Sequence, residues 1–122
     1  MIVNFKVDDL KKMNEQLRAF DALLRKSGVR EDDIFLCRLA SCELISNVII
    51  HGKESAGFEG ELLDDRICIT VKATGMELAD TDASLPSVLA ESGRGMFIVK
   101  SICFGAIERT DGGLRIFIKR TE

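Results

Sequence analysis

Three polar residues, Glu43, Asn47 and His51, recur at four-residue steps in an otherwise apolar stretch, Cys42-Glu43-Leu44-Ile45-Ser46-Asn47-Val48-Ile49-Ile50-His51-Gly52. At about 100° per residue they share one arc of roughly 80° on a helix. One helix face therefore carries a carboxylate, an amide and an imidazole. The asparagine oxygen is a hard ligand suited to Mg²⁺, which takes one or two protein ligands and leaves its other positions to phosphate and water. A carboxylate one turn earlier can act as general base towards a water or hydroxyl near such phosphates. The plainer reading is a core helix whose Glu pairs with a nearby Lys and whose Asn bonds a loop. Spacing alone favours that plainer reading, so the rest of the chain has to decide.

The helix that holds these residues has Leu44, Ile45, Val48 and Ile49 on its other sides, and is expected to be buried nearly all round. It should run from about Arg30, through the acidic first turn Glu31-Asp32-Asp33, to His51, with Gly52 as its stop. Before it, Ile2 to Val7 alternates as an edge strand with Val3, Phe5 and Val7 on the buried side. Asp8 or Asp9 then caps a long amphipathic helix with Leu10, Met13, Leu17, Phe20 and Leu24 at three- and four-residue steps, stopped by Ser27-Gly28. After it, Gly57 to Ala73 reads as two strands joined at Asp64-Asp65. Ile67, Ile69, Val71 and Ala73 face the helices, and Cys68, Thr70 and Lys72 face away.

A connection of about seventeen residues follows Thr74-Gly75 and contains the only proline, Pro86. That length in so small a chain reads as a lid or binding loop, with one short helical turn around Ser87 to Ala90. It ends in Ser92-Gly93-Arg94-Gly95, from which an apolar helix, Met96 to Cys103, begins. Backbone N–H groups at a glycine-flanked helix start have no partner within the helix and can cradle phosphate, although G-x-G usually means no more than a tight turn. Ala106 to Thr110 and Leu114 to Arg120 close the chain as a hairpin around Asp111-Gly112-Gly113, with Leu114, Ile116 and Ile118 inward. The expected fold is a two-layer α/β sandwich of the α+β kind: a mainly antiparallel mixed sheet with the helices on one face, in a single domain spanning 1–122.

The chain has 122 residues, 46% hydrophobic and 30% charged, enough for one packed core and unlike a disordered chain. A net charge of -3 argues against broad nucleic-acid binding. No basic leader with an apolar run and no membrane-length apolar stretch occurs, so a cytoplasmic protein with no membrane contact is expected. Cys37, Cys42, Cys68 and Cys103 form no C-x-x-C pair and are expected to be free thiols serving as small core residues, with no zinc site.

The order of elements, the E-x-x-x-N helix ending in His51-Gly52, the long loop and the Gly93-Arg94-Gly95-Met96-Phe97-Ile98-Val99 helix together resemble the histidine-kinase-like ATPase (GHKL, or Bergerat) superfamily. The resemblance covers essentially the whole chain, and within the superfamily the chain looks like the small anti-sigma factor serine/threonine kinases. It implies ATP and Mg²⁺ as cofactors, Asn47 as the metal ligand and Glu43 as the catalytic base preparing the serine of an anti-anti-sigma antagonist. Gly75, Gly93, Arg94 and Gly95 would bind the nucleotide, with residues 74–92 as the lid. It also implies a sigma factor as the sequestered partner, and it allows a homodimer. His51 is read as a structural neighbour of Asn47, not as a phosphoacceptor.

Two departures from the family pattern coincide. Where the family has a D-x-G whose Asp reads the adenine amino group, this chain has Ala73-Thr74-Gly75. Where the closing hairpin of the family carries Gly-Thr, here Gly113 is followed by Leu114. Strand alternation puts both Ala73 and Leu114 inward, and losing a charged hydrogen bond to the base costs about 1.5 to 3 kcal/mol. Two functions therefore compete: an ATP-dependent kinase that is also an anti-sigma factor, and a binding module of the same fold that works by protein contacts alone.

Overall fold

A computed structural model describes residues 2–52, 55–73, 99–103, 107–110 and 112–121. Strand β1 (Ile2–Val7) leads into helix α1 (Leu10–Lys26) and helix α2 (Glu31–Gly52). Strands β2 (Ala56–Leu62), β3 (Arg66–Ala73), β4 (Ile107–Thr110) and β5 (Gly113–Lys119) follow. The five strands form one sheet in the order β1-β2-β3-β5-β4, and every pairing among them is antiparallel. Residues 99–103 are helical. The expected helical turn around Ser87 to Ala90 and the first residues of the helix expected from Met96 lie outside the described residues.

Local signals account for the helices. Asp9 takes extended backbone geometry and its Oδ1 accepts the Lys12 N–H at 2.7 Å, which fills one of the open donors of the first turn of α1. At the other end Gly28, at φ +89°, turns the chain so that its N–H reaches the Arg25 carbonyl and the Val29 N–H that of Leu24. Met13, Leu17, Phe20 and Leu24 are buried, whereas Leu10 sits half out of the core at 38% exposure. α2 opens on three acidic residues, and one of them has a second task. Asp33 is buried, and its carboxylate accepts the Thr121 N–H at 2.6 Å and the Thr121 hydroxyl at 2.8 Å, fastening the end of β5 to the start of α2.

Sheet and helices meet in one core. Val7, Phe58, Ile67, Ile69, Val71, Ile116 and Ile118 pack against Leu17, Phe20, Leu24, Ile34, Leu44, Ile45 and Val48, and Val99 and Cys103 join the same cluster. Ile69 pairs with Ile116 and both are fully buried, so the strands alternate as their sequences predict. Gly60 lets α1 close onto β2: a Cβ there would lie 2.5 Å from the Phe20 ring.

Cys68 and Thr70 lie on the sheet face away from the helices, as expected, and both are buried there. β3 is the central strand, and long side chains of β5 and β3 fold over them. Arg115 Nε donates to Thr70 Oγ1 at 3.2 Å, and the Arg66 guanidinium sits 4.8 Å above the Phe117 ring. One expectation is corrected: α2 is not buried nearly all round, since Phe35 is 64% and Ile50 54% exposed on its outward side. No helix among the described residues is long and apolar enough to cross a membrane.

Candidate functional site

The packing of α2 decides which of its polar groups are shut away from water. Leu44 and Val48 point into the core, and Asn47, beside Val48 on the helix, is drawn in with them to 3% exposure. Glu43, one turn earlier on the same stripe, stays half-buried. The Nδ2 of Asn47 is out of reach of solvent and has no hydrogen-bond partner among the described residues. An amide in that state costs about 1–3 kcal/mol relative to a satisfied one. His51 lies in the last turn of α2, and its side chain lies outside the described residues.

Sequence reasoning did not pick out Ser41, whose hydroxyl is fully buried and also without a partner among the described residues. It lies about 120° round the helix from Asn47 and does not join the stripe. A short hydroxyl in a helix is so often turned to its own backbone that its sequence carries no signal.

The second wall is built where β3 and β5 run side by side. Val71 pairs with Leu114, and the Ala73 N–H donates to the Gly112 carbonyl at 3.0 Å. Ala73 and Leu114 are therefore diagonal neighbours on one sheet face. Both belong to the apolar core, at 9% and 5% exposure. Gly113 is required here by close approach, since a Cβ would run into the Val71 carbonyl and the Lys72 backbone. Gly112, at φ +76°, makes the turn into it. The remaining expected site residues, Gly75, Gly93, Arg94 and Gly95, lie outside the described residues, as does the whole expected lid.

A wide cleft of about 1040 Å³ opens around Leu36, Asp64, Ile102 and Arg120. It sits by the β2–β3 turn, at the other end of β3 from Ala73, and its one buried carboxylate, Asp33, is already paired with Thr121. It has no part in the arrangement around Asn47.

Residues 7–117 match the family described as the histidine kinase-like ATPase domain. The chain belongs to that family. The match runs from the last residue of β1 to Phe117 in β5, so it takes in both helices and the whole of β2, β3 and β4. No curated protein matches the chain.

In this histidine kinase-like ATPase domain α2 carries a buried amide one turn after a half-buried carboxylate, and the β3–β5 wall at Ala73 and Leu114 is apolar. Asn47 carries an amide oxygen of the kind that can hold a cation and N–H donors that can hold an anion, and its Nδ2 has no partner among the described residues. Ala73 and Leu114 offer no side-chain donor or acceptor at all. Among the described residues no three His, Cys, Asp or Glu side chains gather as a metal cage.

Proposed function

We propose that the protein is a kinase of the anti-sigma factor type, which binds Mg-ATP along α2, phosphorylates a serine or threonine of an antagonist protein and sequesters a sigma factor. The observation that supports this reading is the buried Asn47, whose Nδ2 has no partner among the described residues, one turn after the half-buried carboxylate of Glu43. Bound Mg-ATP would supply the phosphoryl group and the charge neutralisation its transfer needs. Asn47 would hold the metal through its amide oxygen, which leaves its N–H donors for an anion. Glu43 accepts the proton of the attacking hydroxyl as the oxygen–phosphorus bond forms and ADP leaves. The sigma factor and antagonist as partners are supported by the resemblance of the Glu43-to-Gly52 helix and the Gly93-to-Val99 segment to the anti-sigma kinases.

A second reading has its own observation. Ala73 and Leu114 close the place where the family pattern has Asp and Thr, and two apolar side chains packed into the core need no ligand to satisfy them. The protein would then be a binding module that keeps the fold and acts through protein contacts alone.

Separate substitutions on α2 test the kinase reading. Asn47→Ala should abolish the Mg²⁺ dependence of ATP binding, whereas Glu43→Ala should keep binding and stop antagonist-dependent ADP formation. A metal ligand acts on the bound state and a base chiefly on the chemical step. Equal loss of ATP affinity in both variants contradicts these roles.

A further inference from the structure

On the side that the helices leave open, the charged surface of the sheet has a gap at Gly57. The register sets Lys6 of β1 directly across from Gly57, and Lys72 of β3 directly across from it on the other side. Strand alternation sends both lysines to this outer face, where both are exposed. Two like charges therefore flank a position that has no side chain. A merely solvated sheet face sets opposite charges across from each other, as it does at Arg115 and Glu108 on β5 and β4. The gap is a dip of about 380 Å³, bordered also by Asn4, Glu59, Thr70 and Arg115. Its third cation is held in place: Thr70 is buried, and its Oγ1 accepts the Arg115 Nε–H at 3.2 Å. A guanidinium tied at Nε keeps its Nη groups for other acceptors. The Glu108 carboxylate comes only to 3.9 Å from Nη1, beyond hydrogen-bond range. Lys6 is as loosely held, since its Nζ stands 3.8 Å from an Asp8 oxygen that already accepts the Ser55 hydroxyl at 2.6 Å. Neither Lys72 nor Glu59 makes an ion pair among the described residues. Glu59 is the one carboxylate on the border, against three cations, so the dip is positive in a chain whose net charge is -3.

We propose that this dip is a second anion site, which binds a phosphate monoester between Lys6 and Lys72 over Gly57, with Arg115 as a further donor. The backbones of β1 and β3 stand two strand spacings apart, about 9–10 Å, a span that two flexible lysine stems can close on a phosphate group. A phosphate monoester brings about -1.5 to -2 charges at pH 7 and three strong acceptor oxygens, which answers three cations at once. A carboxylate brings one charge and two oxygens, and leaves a cation without a partner. The phosphate can come from a small phosphorylated molecule or from a phosphorylated serine or threonine of a protein, because the open sheet face admits both. The site lies across the sheet from α2, shares no residue with the arrangement around Asn47, and does not rest on the kinase reading.

Titration of the native chain with O-phosphoserine at low salt, followed by backbone amide chemical shifts, tests the site. Shifts should gather at Lys6, Gly57, Thr70 and Lys72 and saturate with a dissociation constant on the order of 1 mM. The same shifts should appear in Asn47→Ala, which separates this site from the one on α2. Lys6→Glu and Lys72→Glu should each weaken binding at least tenfold, Lys72→Arg should keep it, and Glu59→Gln should tighten it several-fold. All three positions are exposed, and circular dichroism of each variant establishes that it is folded. A short peptide carrying phosphoserine that binds more tightly than the free amino acid assigns the ligand to a phosphorylated protein, and the reverse order assigns it to a small phosphorylated molecule. The proposal is overturned by shifts confined to α2, by no shift on this face, or by binding indifferent to Lys6→Glu and Lys72→Glu. Succinate binding as tightly as phosphoserine overturns it as well, since the dip would then not select phosphate.

Discussion

Replacing Asn47 with leucine should make the ligand-free protein more stable. Asn47 is buried to 3% exposure and its Nδ2 has no partner among the described residues, so its removal relieves a desolvation penalty of about 1–3 kcal/mol. Leucine is close to asparagine in size but branches differently, and misfit in a filled core costs up to about 1.5 kcal/mol. The net gain is about 1 kcal/mol, which for a domain of this size raises the melting temperature by roughly 3–6 °C. Differential scanning calorimetry without nucleotide reads this directly. Repeating the scan with saturating Mg-ATP gives the other half of the argument. The native chain should gain stability from ligand in proportion to the logarithm of its concentration, and Asn47→Leu should gain none. A residue held for function gives this opposed pair of shifts. A fall in the melting temperature of ligand-free Asn47→Leu would refute the reasoning, because it would mean that the amide is satisfied within the fold and serves packing.

Four further outcomes follow from other parts of the structure. Ala73→Asp with Leu114→Thr should strengthen ATP binding by one to two orders of magnitude, about 1.5–3 kcal/mol, and well beyond the sum of the single changes; a double-mutant cycle titrated with ATP measures the coupling. Gly60→Ala drives a methyl into the Phe20 ring, which is held edge-on against Phe58 at 5.4 Å, and should cost about 1–3 kcal/mol in urea denaturation. Burial pushes the Cys103 thiol up to about 11 and raises those of Cys37 and Cys68. In the native protein a thiol reagent at pH 8 should therefore react with Cys42 alone. Because the folded state keeps protons that the unfolded state gives up above about pH 9, stability should fall as pH rises from about 9 to 11, as denaturation at a series of pH values would show.

Much of this arrangement can be read from local pattern. The three- and four-residue spacing of Met13, Leu17, Phe20 and Leu24, the Asp9 cap and the alternation of β3 and β5 each depend on neighbours a few residues away. That alternation is enough to put Ala73 and Leu114 on one inward face. Other features depend on partners that no short window contains. Cys68 and Thr70 alternate like exposed residues, and are buried because β3 is central and Arg66, Arg115 and Phe117 cover its outer face. Asp33 looks like any acidic residue in a first helical turn until Thr121, 88 residues later, is found on its carboxylate. α2 has apolar residues on both its inward and its outward sides, so its sequence does not mark that Phe35 and Ile50 stay exposed. That Asn47 belongs to a polar stripe follows from spacing; that its Nδ2 has no partner among the described residues follows only from how the core closes around it.

The central claim is that α2 presents a working metal–phosphate site through Asn47, and calorimetric titration with ATP tests it most directly. In Mg²⁺ the native chain should bind one ATP per subunit, and in EDTA the affinity should drop sharply. Asn47→Ala should show the same weak binding with or without Mg²⁺. A native chain that gives no binding heat with Mg-ATP, while still folded and still holding a sigma factor, would contradict the claim and establish the binding-module reading in its place.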